Sequence, residues 1–245
     1  MSEETLRKLL FALGIPLTRQ GPQSGTRQRF NPIHTMFRDG GDAPRTPAEV
    51  AAMEGRRLRR RAGHQQRSGQ EHIDKTRDKL VGRGVLLDVA RHQGVRALEP
   101  GYAVTVDDLE RTAAEDVSVQ RSDLLLVRTG HMSRYLKRGD WRHFDLDPFP
   151  GVSVYTAPWM HARQIAAVAS DNYAVEVRPS EIAGFRNPFH VVVIPNMGLT
   201  LGEIFFLEEL AADCAADGRY AFLLAAPPLP VTRAVGTPIN PYALN

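Results

Sequence analysis

The chain is short of cysteine and of long apolar runs, and both shortages narrow the classes of protein it can belong to. Its 245 residues include one cysteine, Cys214, so no disulfide can form within the chain. This usage is typical of a reducing compartment, and we interpret Cys214 as a small buried hydrophobe on a helix. No apolar run approaches the ~20 residues that a membrane span needs. The opening MSEETLRKLL is acidic where a signal peptide would be basic, so we expect a cytoplasmic protein without a membrane partner.

A large excess of one charge is also missing. The 31 Lys and Arg stand against 28 Asp and Glu, a formal net charge of +3. Much of the basic character lies in one stretch, EGRRLRRRAGHQQRSGQEH at residues 54–72, which has six arginines and no aromatic residue. Nucleic-acid binders usually spread their basic residues along a face and stack bases on aromatics. We therefore interpret the stretch as a solvated helix face or a disordered loop and expect no nucleic-acid partner, with salt-dependent phosphate binding as the distant alternative.

Apolar runs of strand length alternate with amphipathic segments from residue 81 onward. A strand buried on both faces has a continuous apolar run, and five such runs are present: VGRGVLLDVAR (81–91), DLLLVRTGH (123–131), IAAVASDN (165–172), FHVVVIPN (189–196) and YAFLLAAPPLP (220–230). Two segments are typical of helices with a defined start or stop: TVDDLERTAAE (105–115) and GEIFFLEELAADCAADG (202–218). This alternation predicts an α/β fold with a central mixed sheet.

Polar side chains stand at the ends of three of these predicted elements. Asp171 follows the strand IAAVAS, His190 begins FHVVVIPN, and Glu203 begins the helix GEIFFLEEL. Loops at strand ends are the usual place for ligands in open α/β sheets. His190 and Glu203 lie 13 positions apart and share no local element, so their spacing alone favours ordinary polar residues over metal ligands. For Asp171, a hydrogen-bonded loop anchor and an active-site acid are both open.

Several quoted segments resemble, in order, one known family. From residue 79 to 245 the chain is similar to the cyclase family of metal-dependent hydrolases, which includes bacterial kynurenine formamidases and isatin hydrolase. The resemblance is carried by VGRGVLLDVARHQGV, PGYAVTVDDLE, DLLLVRTGHM, APWMHARQIAAVASDNYAVEVRP, the segment from PFHVVV to PLPVT, and GTPINPYAL. Residues 1–43, with LGIPL, GPQSG and RFNPIHTM, resemble the larger members. The resemblance implies one domain of swivelling β/β/α type over residues 1–245, helices flanking the sheet, and a homo-oligomer (dimer or tetramer).

The resemblance also implies a chemistry. Family members hydrolyse an amide, lactam or related carbonyl of a small molecule with water activated by zinc or manganese, which lowers the pKa of the water and polarises the carbonyl. The later His and Glu of the family's metal site map onto His190 and Glu203, which we expect to be metal ligands. Asp171 is the catalytic candidate. No further cofactor is expected.

One part of the family pattern is missing. The family's first ligand group has the form H-x-G-T-H-x-D-x-x-x-H, or Q-x-G-T-Q-x-D-x-x-x-H in larger members, and should fall between FRDGGDA and DKLVGRG. Residues 44–78 occupy that interval and contain no such motif. We therefore expect residues 44–78 to be a divergent, Arg-rich segment. His190 and Glu203 alone are too few for a tight zinc site, so further ligands would have to come from His34, His64, His72 or Asp171.

Two functions stay open at this stage. The favoured one is a metal-dependent hydrolase or cyclase acting on an amide, lactam or related carbonyl, similar to kynurenine formamidase, because the second half of the family pattern is well kept. The alternative is a catalytically inactive relative that retains the fold for ligand binding or oligomer assembly, and the missing motif motivates it. No successor to the general base of that motif is evident. His131 and His161 are interpreted as structural.

Overall fold

The computed structural model describes residues 73–145, 148–232, 234 and 236–244. Within these stretches no helix is both long and apolar enough to cross a membrane. The Arg-rich segment that the sequence predicts over residues 44–78 lies outside the described residues as far as position 72. The candidate ligands His34, His64 and His72 lie outside them too, so their role stays a prediction.

The described residues fall into two compact units. The smaller unit contains residues 73–79 and the described part of 227–239. It includes a 3-10 helix, Ile73–Thr76, whose first backbone N–H donates to the carbonyl of Ala234 at 2.8 Å. The larger unit contains the described residues of 80–226 and 240–244. The sequence-based prediction of one domain over 1–245 stays a prediction.

The larger unit is built on a six-stranded mixed sheet. In chain order the strands of the unit are β1 (Val81–Asp88), β2 (Ala103–Val104), β3 (Leu124–Arg128), β4 (Gly151–Val152), β5 (Ala167–Ser170), β6 (Thr200–Gly202), β7 (Ala221–Ala225) and β8 (Tyr242–Leu244). The sheet order is β6–β5–β3–β1–β7–β8, while β2 and β4 form a separate parallel pair. Strands β1, β3, β5 and β6 are parallel to one another, and the β1–β7 and β7–β8 pairs are antiparallel.

Helices connect these strands. In chain order they are α1 (Val89–His92), α2 (Val106–Asp116), α3 (His131–Arg138), α4 (Ala157–Ala162), α5 (Pro188–Met197) and α6 (Glu208–Asp217), with a further 3-10 turn at Val154–Thr156. The mixed α/β class, with a central mixed sheet flanked by helices, is the class that the sequence predicts, and it is confirmed.

The continuous apolar runs become the central strands because both faces of β1 and β3 are covered. All five residues of β3 and the last five of β1 are buried. Gly84 in β1 allows this packing, since a Cβ there would lie 2.5 Å from the ring of Phe222. The parallel strands bring their carboxyl ends to one edge of the sheet. Polar residues that end or follow the four parallel strands lie at this edge: Asp88, Arg128, Asp171 and Glu203.

Two predicted elements are wrong, and both affect the site. FHVVVIPN, predicted as a strand, belongs to α5, which has Pro188 at its start. Its buried residues Phe189, Val192 and Val193 have helical spacing, and a short apolar run does not distinguish the two structures. The segment 202–218 is predicted as one helix, but α6 begins only at Glu208. His190 is therefore on a helix, and Glu203 lies in a loop after β6.

Other predicted features are confirmed. Thr105 begins α2 through a capping box: its hydroxyl accepts from the Asp108 N–H at 3.2 Å, and the Asp108 carboxylate accepts from the Thr105 N–H at 2.8 Å. Gly218 ends α6 in the left-handed conformation with φ 74°. Cys214 is fully buried. These features depend on local sequence, which explains why the pattern predicted them.

Candidate functional site

The structure brings the two predicted metal ligands into direct contact. His190 lies in the first turn of α5, and Glu203 directly follows β6. The imidazole Nε2 of His190 is 3.1 Å from Oε1 of Glu203. The side chains are 21% and 38% exposed, so solvent reaches the pair. The contact joins a helix and a loop that spacing alone could not place together.

A third residue, Glu176, completes this cluster, and sequence reasoning missed it. Its Oε1 is 2.6 Å from Nδ1 of His190, on the opposite side of the ring from Glu203. The Glu176 side chain is 2% exposed. In AVEV, residues 174–177, Glu176 is a single acid among apolar residues. Carboxylates are almost never fully buried unless they are paired, so this pattern could have indicated a buried acid with a partner elsewhere in the chain.

The charge on His190 follows from these two carboxylates. Burial works to lower the pKa of His190, but the hydrogen bond to Glu176 and then that to Glu203 outweigh burial and raise the pKa to about 9. The cluster thus stabilises a positive charge at the imidazole. An arrangement that favours a proton between Nε2 and a carboxylate also favours a cation in that place.

The donor set supplies part of the metal site that the resemblance implies. Among the residues that the structure describes, no three His, Cys, Asp or Glu side chains form a group able to hold a metal ion. His190 Nε2 and Glu203 Oε1 nonetheless fit two positions of such a site. Their 3.1 Å separation is close to the ~3.3 Å between two atoms that bind one tetrahedral ion at about 2.0 Å. A carboxylate behind the ligand histidine, here Glu176, is usual in zinc sites. At least one more protein ligand is required.

Asp171, the predicted catalytic acid, is directed elsewhere. Its Oδ1 accepts hydrogen bonds from the backbone N–H and the hydroxyl of Thr129, both at 2.8 Å, and a longer one from Ser170 at 3.4 Å. Burial raises the pKa of Asp171, and the bonds from Thr129 offset part of the rise. No hydrogen bond links Asp171 with His190 or Glu203 within the described part of the chain. Of the two interpretations left open, the contacts favour the loop anchor, and a catalytic role stays a prediction.

A second charged cluster lies at the same edge of the sheet. Arg128 donates to Asp88 at 2.8 Å and to Glu208 through two nitrogens, at 2.9 and 3.1 Å. Burial works to lower the pKa of Arg128, but Glu208 and Asp88 outweigh it and raise that pKa further. Three elements, β1, β3 and α6, are joined by this guanidinium. Its hydrogen bonds identify it as a structural tie.

The backbone beside the His190 cluster adopts a rare conformation. Val175 and Ile204 both have a φ of 60°, and they are the immediate neighbours of Glu176 and Glu203. A left-handed conformation is a genuine outlier for β-branched residues. Such strain persists only where the surroundings fix it, and it concentrates at functional sites. Both carboxylates that contact His190 are thus presented by strained turns.

His131 has the structural role that the sequence analysis assigns to it. The residue is buried, and its ring packs against Phe144, Tyr135 and Phe149 with centroid distances of 4.7, 4.9 and 5.3 Å. Its Nε2 lies 3.1 Å from the Phe144 carbonyl oxygen. These contacts identify an aromatic core residue.

Comparison with known proteins gives results at three levels. The model of the family described as "Putative cyclase" matches residues 61–177. No curated protein matches the chain. The protein in a crystal structure of a novel cyclase is 38% identical to this chain in sequence. The two structures match with a TM-score of 0.63, and the match covers 71% of this chain and 56% of the novel cyclase.

Two isatin hydrolase structures are similar at lower identity. Isatin hydrolase A from Ralstonia solanacearum is 16% identical with a TM-score of 0.56, covering 70% of this chain and 63% of that one. An isatin hydrolase bound to the product analogue thioisatinate is 18% identical with a TM-score of 0.54, covering 74% and 68%. At these identities the likeness supports the fold alone.

The matches also differ from this chain in extent. The chain spans little more than half the length of the novel cyclase and less than two thirds of isatin hydrolase A. The match to the family model includes β1 to β5, and the novel cyclase has the same fold. Together with the family pattern in the sequence, these matches show that the chain is similar to the cyclase family in fold and, over residues 61–177, in sequence.

Proposed function

We propose that this protein is a metal-dependent hydrolase or cyclase that acts on an amide, lactam or related carbonyl of a small molecule, similar to kynurenine formamidase. The observation that carries the proposal is the contact between His190 and Glu203, with Glu176 behind the ring. One nitrogen and one carboxylate oxygen, both reached by solvent, form the beginning of a metal site. The similarity to the cyclase family model and to the novel cyclase supports the same chemistry.

In this proposal His190 Nε2 and Glu203 hold a zinc or manganese ion. When bound, the metal would lower the pKa of a water molecule and polarise the substrate carbonyl. The chain itself places Nε2 of His190 beside Oε1 of Glu203. Glu176 holds the other ring nitrogen, Nδ1. Ile204 and Phe206, which follow Glu203 by one and three positions, are 48% and 51% exposed and offer apolar surface for a small substrate.

The remaining metal ligands belong to the proposal as well. His34, His64, His72 or Asp171 would supply them within the chain, or a neighbouring subunit would do so in a homodimer or homotetramer. The cytoplasm is the compartment that we propose for the protein. A small-molecule substrate is the partner that the site's chemistry suits best.

The first test is the metal content of the full chain, purified without chelator and then reconstituted with zinc or manganese. We expect about one ion per chain, together with hydrolysis of an aryl formamide or of isatin. His190→Ala should lose both the metal and the turnover. His92→Ala is the matched control, because His92, on α1, also contacts a carboxylate, that of Glu115 at 2.9 Å, which is 64% exposed and lies on α2.

The second candidate function is an inactive relative that keeps the fold for ligand binding or assembly. The observation that favours it is the absence of the family's first ligand motif from residues 44–78. A chain that binds neither zinc nor manganese after reconstitution would contradict the enzyme and support this candidate. Turnover that disappears in His190→Ala and persists in His92→Ala would exclude it.

A further inference from the structure

One buried carboxylate receives three hydrogen bonds from the start of α5. Glu176 Oε2 accepts from the backbone N–H of Phe189 at 3.0 Å, and Oε1 accepts from the backbone N–H of His190 at 3.2 Å and approaches its Nδ1 at 2.6 Å. The first N–H groups of a helix have no partner within the helix. Asn187, at the N-cap of α5, makes no side-chain capping bond. Glu176 therefore supplies the cap from outside the helix.

These bonds fix the orientation of the imidazole. Because both carboxylate oxygens are held by backbone N–H groups, the carboxylate of Glu176 cannot rotate without breaking a bond to the helix. Oε1 binds the backbone and the ring of the same residue, His190, and so sets the angle between them. An ionised carboxylate only accepts hydrogen bonds, so Nδ1 must carry the proton. Nε2 faces Glu203 and donates to it in the metal-free chain, so a metal would replace the proton on Nε2 and leave the one on Nδ1 in place.

Glu176 is itself held firmly by the backbone around it. The carbonyl of Val175 accepts from the Val152 N–H at 2.8 Å and from the side chain of Asn172 at 3.2 Å, although Val175 is in the left-handed region. Gly151 packs directly on Glu176, since a Cβ at position 151 would lie 2.4 Å from the Glu176 carbonyl carbon. A strained residue that persists needs such surroundings. The backbone of Glu176 is thus fixed by contacts that do not involve His190, and its carboxylate is fixed by the first turn of α5.

We infer that Glu176 is the positioning residue of the site: its carboxylate holds His190 with the proton on Nδ1 and so directs Nε2 to the metal. The part of the inference that concerns metal binding rests on the proposed function. The part that concerns the orientation of the His190 ring rests on the geometry alone. Loss of a carboxylate behind a ligand histidine typically weakens metal binding 10- to 100-fold. Glu176 touches neither the metal position nor the substrate, and acts through His190.

The test compares the full chain with Glu176→Gln and with a matched control, Glu181→Gln. Glu181 also caps backbone from a loop: it accepts from the Ser153 hydroxyl and the Val154 N–H, both at 2.8 Å, without touching a histidine. The first readout is zinc affinity, measured by competition with a chromophoric chelator. The second is the Nδ1–H signal of His190 in metal-free, 15N-histidine-labelled protein, assigned to His190 by its loss in His190→Gln and distinguished from Nε2–H by its persistence in Glu203→Gln. A short bond to a buried carboxylate shifts this signal downfield and slows its exchange.

Glu176→Gln is expected to lose the downfield Nδ1–H signal and to bind zinc 10- to 100-fold more weakly, while Glu181→Gln retains both properties. An unchanged signal and unchanged zinc affinity in Glu176→Gln would overturn the inference. If none of the chains binds zinc, the proposed function fails, but the ring signal still decides the role of Glu176. Should Glu176→Gln not fold, Glu176→Asp takes its place, and zinc affinity equal to that of the unmodified chain would contradict the inference.

Discussion

Two clusters at one edge of the sheet have the same plan and different chemistry. Each has a cationic side chain between two carboxylates, one buried and one partly exposed. The closed cluster is Asp88, Arg128 and Glu208, and the open cluster is Glu176, His190 and Glu203. The outer carboxylate is 22% exposed in the closed cluster and 38% exposed in the open one. The clusters differ most in their central residue.

The central residue decides what each cluster can do. A guanidinium stays protonated in proteins and has no lone pair to offer, so Arg128 can only tie its carboxylates together. An imidazole can exchange a proton for a metal at Nε2, so His190 can serve as a ligand. The two clusters also differ in backbone strain, because Val175 and Ile204, both in the left-handed conformation, are neighbours of Glu176 and Glu203 in the open cluster. Similar charge patterns therefore indicate different roles once the central side chain is considered.

Removing the centre of the closed cluster should have the largest effect on stability. Arg128→Met leaves Asp88 and Glu208 without their cation, and we expect the free energy of unfolding to fall by about 3 to 5 kcal/mol. Equilibrium urea unfolding measures the change. The matched control is Arg142→Met, because Arg142 pairs with Asp140 at the surface and exposed pairs of this kind contribute little to stability. A loss below about 1 kcal/mol in Arg128→Met would contradict a structural role.

Cys214, on the same helix as Glu208, should make the stability of the fold depend on pH. Burial raises the pKa of the Cys214 thiol from 9.0 to about 11, and the charges of Asp217, Asp213 and then Asp88 add to the rise. Because the folded pKa lies above the unfolded one, the contribution to stability is fully present below pH 9 and is lost as pH rises towards 11. Between pH 8 and 10 the chain should lose about 1 kcal/mol more than Cys214→Ala. Equal losses would show that the thiol is not protected from ionisation.

Relief of strain beside the open cluster should stabilise the fold. Ile204→Gly removes a β-branched side chain from a left-handed conformation, and we expect a gain of about 0.5 to 1 kcal/mol after the entropy of glycine is subtracted. Ile204→Ala, which keeps a Cβ, should gain less. Zinc affinity should fall in Ile204→Gly, because the backbone that presents Glu203 becomes freer. Thermal unfolding and chelator competition measure the two effects, and a destabilised glycine variant would refute the strain.

The smallest effect on stability is expected at the exposed end of the open cluster. Glu203→Gln should change the free energy of unfolding by less than about 0.5 kcal/mol, yet zinc affinity should fall at least tenfold because a charged ligand is lost. Glu208→Gln, its counterpart in the closed cluster, should destabilise the fold and leave zinc affinity unchanged. Urea unfolding and zinc titration of both variants separate the clusters. Identical behaviour of the two variants would remove the distinction between them.

The sequence predicted the parts of the fold that depend on local patterns. The buried strands β1, β3 and β5 and the capped start of α2 follow from apolar runs and from Thr105 with Asp108. Helix α5 was mistaken for a strand because its run of apolar residues has no polar face, being covered on more than one side. Strand β8 was not predicted, since three exposed residues carry no periodic signal.

The candidate site was predictable only in part, for a physical reason. His190 and Glu203 came from the resemblance to the cyclase family, and the structure adds their 3.1 Å contact, while their role as ligands stays a prediction. Glu176 was missed because its partner lies 14 positions away on another element, and no local pattern encodes that contact. Asp171 was chosen for its place after a strand, which does not specify where its carboxylate points.

The close packing of Gly151 has a consequence for how this chain tolerates mutation. Position 151 carries no functional group, yet any Cβ there would displace the backbone of Glu176 and the side chain of Asn172. A mutational scan for lost activity should therefore identify Gly151→Ala as an inactivating substitution, in the same way as substitutions of His190 and Glu203. Because the closest atoms are those of the backbone carbonyl of Glu176, a smaller side chain at position 172 would not make room, and no single neighbouring substitution should restore the activity.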